Sequence, residues 1–63
     1  MIGKNIRNLR QEHDMSMQDL ADKLGTTDSA VCRWENGKVK VSVEAAVKIA
    51  DLFKISLDDL VGR

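Results

Sequence analysis

Residues 26–37, Thr26-Thr27-Asp28-Ser29-Ala30-Val31-Cys32-Arg33-Trp34-Glu35-Asn36-Gly37 (TTDSAVCRWENG), read as a short helix between two stops. Thr27 suits a helix N-cap, because its hydroxyl can accept from a backbone N–H that has no partner inside the helix. Gly37 suits the left-handed residue that ends one. At about 100° per residue, Val31 and Trp34 of helix 28–36 point one way, with Glu35 near the edge. Asp28, Ser29, Cys32, Arg33 and Asn36 occupy the other side. That outward face carries short polar groups and one arginine, and no large apolar side chain. Such a face lets a helix backbone approach base edges in a DNA major groove, where an arginine can donate two hydrogen bonds to guanine.

Upstream, Ser16 reads as an N-cap with Asp19 three residues on, a short-armed capping box. Leu20, Ala21 and Leu24 give helix 17–24 a buried stripe, and Gly25 stops it. The turn from Gly25 is so short that helices 17–24 and 28–36 must cross steeply. This is a helix-turn-helix arrangement over about residues 17–36. Before it, Ile2, Ile6, Leu9 and His13 recur at helical steps and predict a helix over roughly 2–13. Asp14 and Met15 turn the chain. After it, Lys38–Val41 form a loop. Ser42 caps a helix over about 43–53, with Val43, Ala46, Ile49, Ala50 and Phe53 expected in the core. Ser56 opens a last short helix in which Asp59 sits at the capping-box position and Leu57, Leu60 and Val61 supply apolar surface. The expected fold is all-α, five helices in a single domain over residues 1–63.

Composition sets limits on this reading. A chain of 63 residues buries only about 60% of its unfolded surface, so its core must be close to ideal or be helped by a partner. One cysteine excludes an internal disulfide. No apolar run approaches the ~18 residues of a membrane span, and no signal peptide is visible. The chain is expected to be soluble and cytoplasmic, with no membrane contact. Lys plus Arg and Asp plus Glu are ten each, whereas a nonspecific polyanion binder is usually basic. Any anion-binding face must therefore be local. Lys4, Arg7 and Arg10 cluster in the first helix, and Lys38 and Lys40 follow Gly37.

Along its length the chain resembles the Cro and phage-repressor (XRE-type) helix-turn-helix family. The matching residues are Ile6, Leu9 and Arg10, Met15-Ser16, Leu20-Ala21, Leu24-Gly25, Arg33-Trp34-Glu35-Asn36-Gly37, Ser42, Glu44, Ile49-Ala50 and Ser56-Leu57-Asp58-Asp59-Leu60. The resemblance implies a five-helix, lambda-repressor-like DNA-binding domain. It places Thr27, Asp28, Ser29, Cys32 and Arg33 at positions that face bases. It places Ser16, Met17, Gln18, Asn36, Lys38 and Lys40 at or beside positions that touch the sugar-phosphate backbone. Arg10, also a backbone-contact candidate, and Glu35 match a pair that forms an internal ion pair beside the DNA. Three residues depart from the family pattern. Met17 stands where many members carry a phosphate-holding glutamine, although the N–H groups of that helix N-terminus remain available to an anion. Val41 replaces a common proline, and Asp28 replaces a neutral or basic residue.

Asp28 has two compatible readings. In the first turn a carboxylate stabilises a helix by roughly 0.3–1 kcal/mol, and in the groove it can accept from cytosine N4. Phosphate contacts from Lys38, Lys40 and the second helix's N-terminus, doubled in a dimer, outweigh this one acid. Asp28 is therefore expected to penalise wrong sequences more than it weakens the right one. Cys32 reads as a small groove-facing residue rather than a redox thiol. His13 suits a helix C-terminus and has no second metal ligand at a recognised spacing, so no metal and no cofactor are expected. Trp34 reads as a core anchor. One His and one Cys on different helices define no nucleophile and base, and no glycine-rich phosphate loop exists, so no enzyme is expected.

The expected function is sequence-specific transcriptional regulation, as a repressor occupying a double-stranded operator. A weak homodimer is expected to span half-sites about 34 Å apart, its contact sought among Leu57, Leu60, Val61 and the preceding loop. Two rivals stand beside it. One is an antitoxin-type regulator with a toxin as protein partner. The other is a helix-turn-helix interaction module that has lost DNA binding.

Overall fold

The computed structural model describes residues 2–62. Among these residues there are five helices and no strand: α1 (Ile2–Glu12), α2 (Met17–Leu24), α3 (Asp28–Asn36), α4 (Val43–Phe53) and α5 (Leu57–Val61). The N-caps fall where the hydroxyl residues predict them. Ser16, Thr27, Ser42 and Ser56 all have extended backbone, and each side chain accepts from the N–H three residues on. At Ser16 the box is closed, since its own N–H donates to Asp19 Oδ2 at 3.0 Å.

That box draws Asp19 below the ordinary carboxylate value of 3.8, through the Ser16 backbone N–H first and the Ser16 hydroxyl second. A depressed folded-state value means that the carboxylate stabilises the fold above the ordinary value. The contribution is lost as pH falls through the lowered one. Ser16→Ala removes the hydroxyl but keeps the backbone N–H, so it should return the Asp19 titration only part of the way toward 3.8 when followed by NMR; an unmoved titration would assign the whole shift to the backbone N–H.

The helix ends are less uniform than glycine stops predict. Gly25 and Gly37 are left-handed at φ 72° and 74°, and so are Asp14 at 53° and Lys54 at 57°. Around each, the following N–H reaches back five residues, as in Met15 N–H to Arg10 O at 2.9 Å and Ile55 N–H to Ala50 O at 3.0 Å. This closure satisfies helix-end carbonyls that would otherwise lack partners, and it holds even where the residue is not glycine. At Asp14 it ends α1 one residue before His13. The His13 ring lies 4.8 Å from Phe53, with Nδ1 2.9 Å from Leu9 O, so that nitrogen donates to the carbonyl.

All five helices contribute to one core of Ile6, Leu20, Ala21, Val31, Ala46, Ile49, Ala50, Phe53 and Leu60. Burying each large aliphatic side chain of this set stabilises the fold by roughly 1.5–3 kcal/mol. Two expectations about apolar residues are corrected. Val43 shares the helical phase of Ala46 and Ala50 but is 75% exposed. It is the first residue of α4, and its Cα–Cβ bond points back toward the helix start, away from the core. Leu60 is fully buried, so it cannot form the dimer contact; Leu57 is the exposed leucine of α5.

Candidate nucleic-acid interface

The connection between α2 and α3 is Gly25-Thr26-Thr27, with Thr26 N–H bonded to Ala21 O at 2.9 Å. The left-handed glycine reverses the chain at once, which sets the two helices as a helix-turn-helix. Val31 has no exposed surface and Trp34 packs against the core from the same side of α3. Their burial fixes the rotation of α3 about its axis. The opposite side follows from it: Asp28, Ser29, Arg33 and Asn36 are exposed, and Cys32 is half-buried.

Two of the face's polar groups are engaged locally. Thr27 Oγ1 accepts from Ala30 N–H at 3.2 Å, and Asn36 Nδ2 donates to Cys32 Sγ at 3.3 Å, one turn away. The Arg33 guanidinium takes no part in an ion pair or side-chain hydrogen bond among the described residues, so its planar donors remain available to a ligand. Lys38 and Lys40 are exposed in the loop that follows Gly37.

At the start of α2, Ser16 and Gln18 are exposed, and Gln18 Nε2 donates to Asp22 Oδ1 at 2.7 Å. The first backbone N–H groups of α2, at Met17 and Gln18, have no carbonyl within the helix to bond. The Met17 side chain, in contrast, is half-buried and packs against the core. Positions 17, 20, 21 and 24 form one helical stripe, which turns the Met17 side chain toward the core and leaves its backbone N–H at the helix start.

Arg10, a backbone-contact candidate, is engaged within the fold in the expected ion pair. Its Nε donates to Glu35 Oε2 at 2.8 Å, one terminal nitrogen to Glu35 Oε1 at 3.1 Å, and the other to Met15 O at 2.9 Å. The two side chains are 11% and 2% exposed. The hydrogen bonds that it donates to Glu35 hold the guanidinium above its already high ordinary range, against the opposing effect of burial. This pair joins α1 to the last turn of α3, and through Met15 O to the turn preceding α2.

Sequence reasoning missed Gly3. The α1 backbone passes so close to the end of α3 that a Cβ built on Gly3 would lie 2.3 Å from Trp34 O. It also missed Asn5, whose Nδ2 donates to Leu60 O at 2.8 Å and ties α1 to α5. Neither residue stands in a local pattern, since each is explained by a helix remote in sequence.

The helix-turn-helix family model matches residues 6–60. Over 63 residues the chain is 40% identical to the antitoxin PezA of Streptococcus pneumoniae, spanning 40% of that protein. Over 58 residues, 92% of this chain, it is 38% identical to the HTH-type transcriptional regulator AnsR of Bacillus subtilis, spanning 50% of it. It thus covers half or less of the length of either relative. Among solved structures, a transcriptional regulator from Listeria innocua superposes with a TM-score of 0.93 at 27% identity, covering 100% of this chain and 59% of the other.

Proposed function

The chain belongs to the Cro and phage-repressor (XRE-type) helix-turn-helix family, and from that premise we propose that it binds a specific double-stranded DNA site and represses transcription by occupying it. The observation that carries this reading is the two-sidedness of α3. Its inner side is locked by Val31 and Trp34, and its outer side holds Asp28, Ser29 and Arg33 free of the core. Thr27, Asp28, Ser29, Cys32 and Arg33 are proposed to meet bases. Ser16, Gln18, Asn36, Lys38, Lys40 and the Met17 N–H are proposed to meet the backbone. Zero net charge is compatible with this role because phosphate affinity depends on local cations, each adding a salt slope of about 0.9.

A homodimer in the cytoplasm completes the proposal, with exposed Leu57 and half-buried Val61 on α5 as its contact. No helix among the described residues is long and apolar enough to cross a membrane. No catalytic step forms part of the reading.

The test is a site selected from random DNA, followed by a salt titration of binding. Arg33→Ala should weaken that site by about 1–3 kcal/mol and relax one base position, as expected of an arginine that reads guanine. Uniform weakening of all sequences would assign Arg33 to phosphate. Absence of salt-dependent affinity would favour an interaction module and overturn the reading. A second reading, a regulator that also binds a toxin, is favoured by the similarity to PezA along this whole chain. In that case a protein partner is added to DNA binding and does not replace it.

A further inference from the structure

The outward-facing helix α3 and the short helix α5 are joined through α1. α1 packs on both of them, while α3 otherwise rests mainly on α2 and α5 on α4. At the α3 end the join is tight. The Gly3 backbone abuts Trp34 O, and the Arg10 guanidinium holds both Glu35 oxygens at 2.8 and 3.1 Å. At the α5 end, the side-chain link to α1 among the described residues is the hydrogen bond from Asn5 Nδ2 to Leu60 O, 2.8 Å long.

Leu60 O has no partner inside its own helix. α5 is five residues long, so the N–H four positions further on lies beyond its end. Leu60 has no exposed surface, so water cannot stand in for the Asn5 amide while α5 keeps its place. A buried carbonyl left unpaired is costly. Gly62 closes the site from outside. Its backbone is left-handed at φ 84°, and a Cβ built on it would lie 3.3 Å from Asn5 Nδ2. A helix as short as α5 has little stability of its own, so its place on the molecule depends on ties of this kind and on the enclosed Leu60 side chain.

We infer that Asn5 is a positioning residue for two-site DNA recognition: by pairing Leu60 O it fixes α5 on α1, and so sets the half-site spacing that a dimer accepts. The inference rests on the reading of the chain as a DNA-binding dimer with its contact on α5. Leu57, 39% exposed, and half-buried Val61 lie one turn apart on that helix, with Leu60 directed inward. Without the amide, Leu60 O meets water only if α5 shifts away from α1. Such a shift carries Leu57 and Val61 with it, while α3 stays held to α1 by Gly3 and Glu35. Two-fold symmetry repeats the displacement in the partner, so the two recognition helices change their separation. Half-buried Asn5 acts here through α5 and touches no DNA.

The experiment compares wild type, N5A and N5D on three kinds of DNA: the site selected for the wild type, its isolated half-site, and sites whose half-sites are moved together or apart by single base pairs. N5D keeps nearly the same volume and removes the donor, so it separates the hydrogen bond from packing. Half-site affinity should stay close to the wild-type value in both variants. The ratio of full-site to half-site affinity should fall about fivefold for each lost hydrogen bond, and the preference for the selected spacing should flatten. An unchanged ratio with an unchanged spacing preference overturns the inference while the DNA reading stands. An equal fall on half-site and full site overturns it too, since Asn5 would then act through the whole fold. N5D behaving as wild type assigns the effect to packing and has the same consequence. Wild-type protein that binds DNA but gains nothing from the second half-site removes the dimer reading, and this inference with it. Wild-type protein lacking any salt-dependent DNA affinity removes the DNA reading as well.

Discussion

Glu35→Ala is expected to remove about half or more of the stability of this chain. The substitution removes both carboxylate partners of the Arg10 guanidinium and leaves it only Met15 O at 2.9 Å. The cation cannot escape by losing its proton, because arginine stays charged at any accessible pH and Glu35 raises it further in the folded chain. Breaking a buried pair from one side costs about 3–5 kcal/mol. A domain of this length has a total of about 3–9 kcal/mol. Chemical denaturation followed by far-UV circular dichroism should show the midpoint fall by about half or more. Glu35→Gln keeps one accepting oxygen but aims an NH2 group at the guanidinium, so it should fall between wild type and alanine. An apolar double substitution, Arg10→Met with Glu35→Leu, should recover most of the stability, since well-packed apolar replacements of buried pairs are often neutral. If that double variant were stable yet bound DNA as wild type does, the pair would have no role in holding α3 at its angle to α1 and α2.

Gly3→Ala is expected to be nearly as damaging, for a steric reason. Alanine is a better helix former than glycine by about 1 kcal/mol, so α1 alone would gain. In the folded chain the new methyl would stand 2.3 Å from Trp34 O and 3.1 Å from Glu35 O. Both are backbone atoms at the end of a helix, which cannot rotate aside as a side chain can. Relief requires α1 to separate from α3, which strains the Arg10–Glu35 geometry and the packing of Ile6 against Val31 together. Overpacking of this kind costs about 1–3 kcal/mol and sometimes more, and here the upper end applies, for a net loss of about 2 kcal/mol. A drop in melting temperature with weaker DNA binding would bear this out. A stabilised Gly3→Ala would show that α1 and α3 are farther apart than described.

The positions of the helices were legible because helix starts and stops are local. A hydroxyl three residues before a free N–H, or a glycine after an apolar stripe, acts within one turn of chain. Hence Ser16, Thr27, Ser42 and Ser56, and the stops at Gly25 and Gly37, could be read in isolation. At Asp14 the turn was legible, and aspartate is among the residues that tolerate left-handed backbone. The stop at Lys54 was not legible, because no residue preference announces its left-handed backbone.

The outward face of α3 was likewise readable, since helical phase alone opposes Val31 and Trp34 to Ser29 and Arg33. What phase could not supply was the third dimension at helix ends. Val43 has a core phase and lies outside; Leu60 was expected at a surface and is enclosed. In each case the outcome depends on whether another helix passes over the position. Sequence by itself thus determined the elements, the two faces of α3 and its resemblance to a family of DNA readers. Tertiary structure alone decided that Gly3 must be glycine, how deeply the Arg10–Glu35 pair is enclosed, and that Lys4 stands in one groove with Asn36 and Lys40. Those facts depend on distances between segments some 25 to 35 residues apart, and distances of that kind are fixed by packing, which no local pattern encodes.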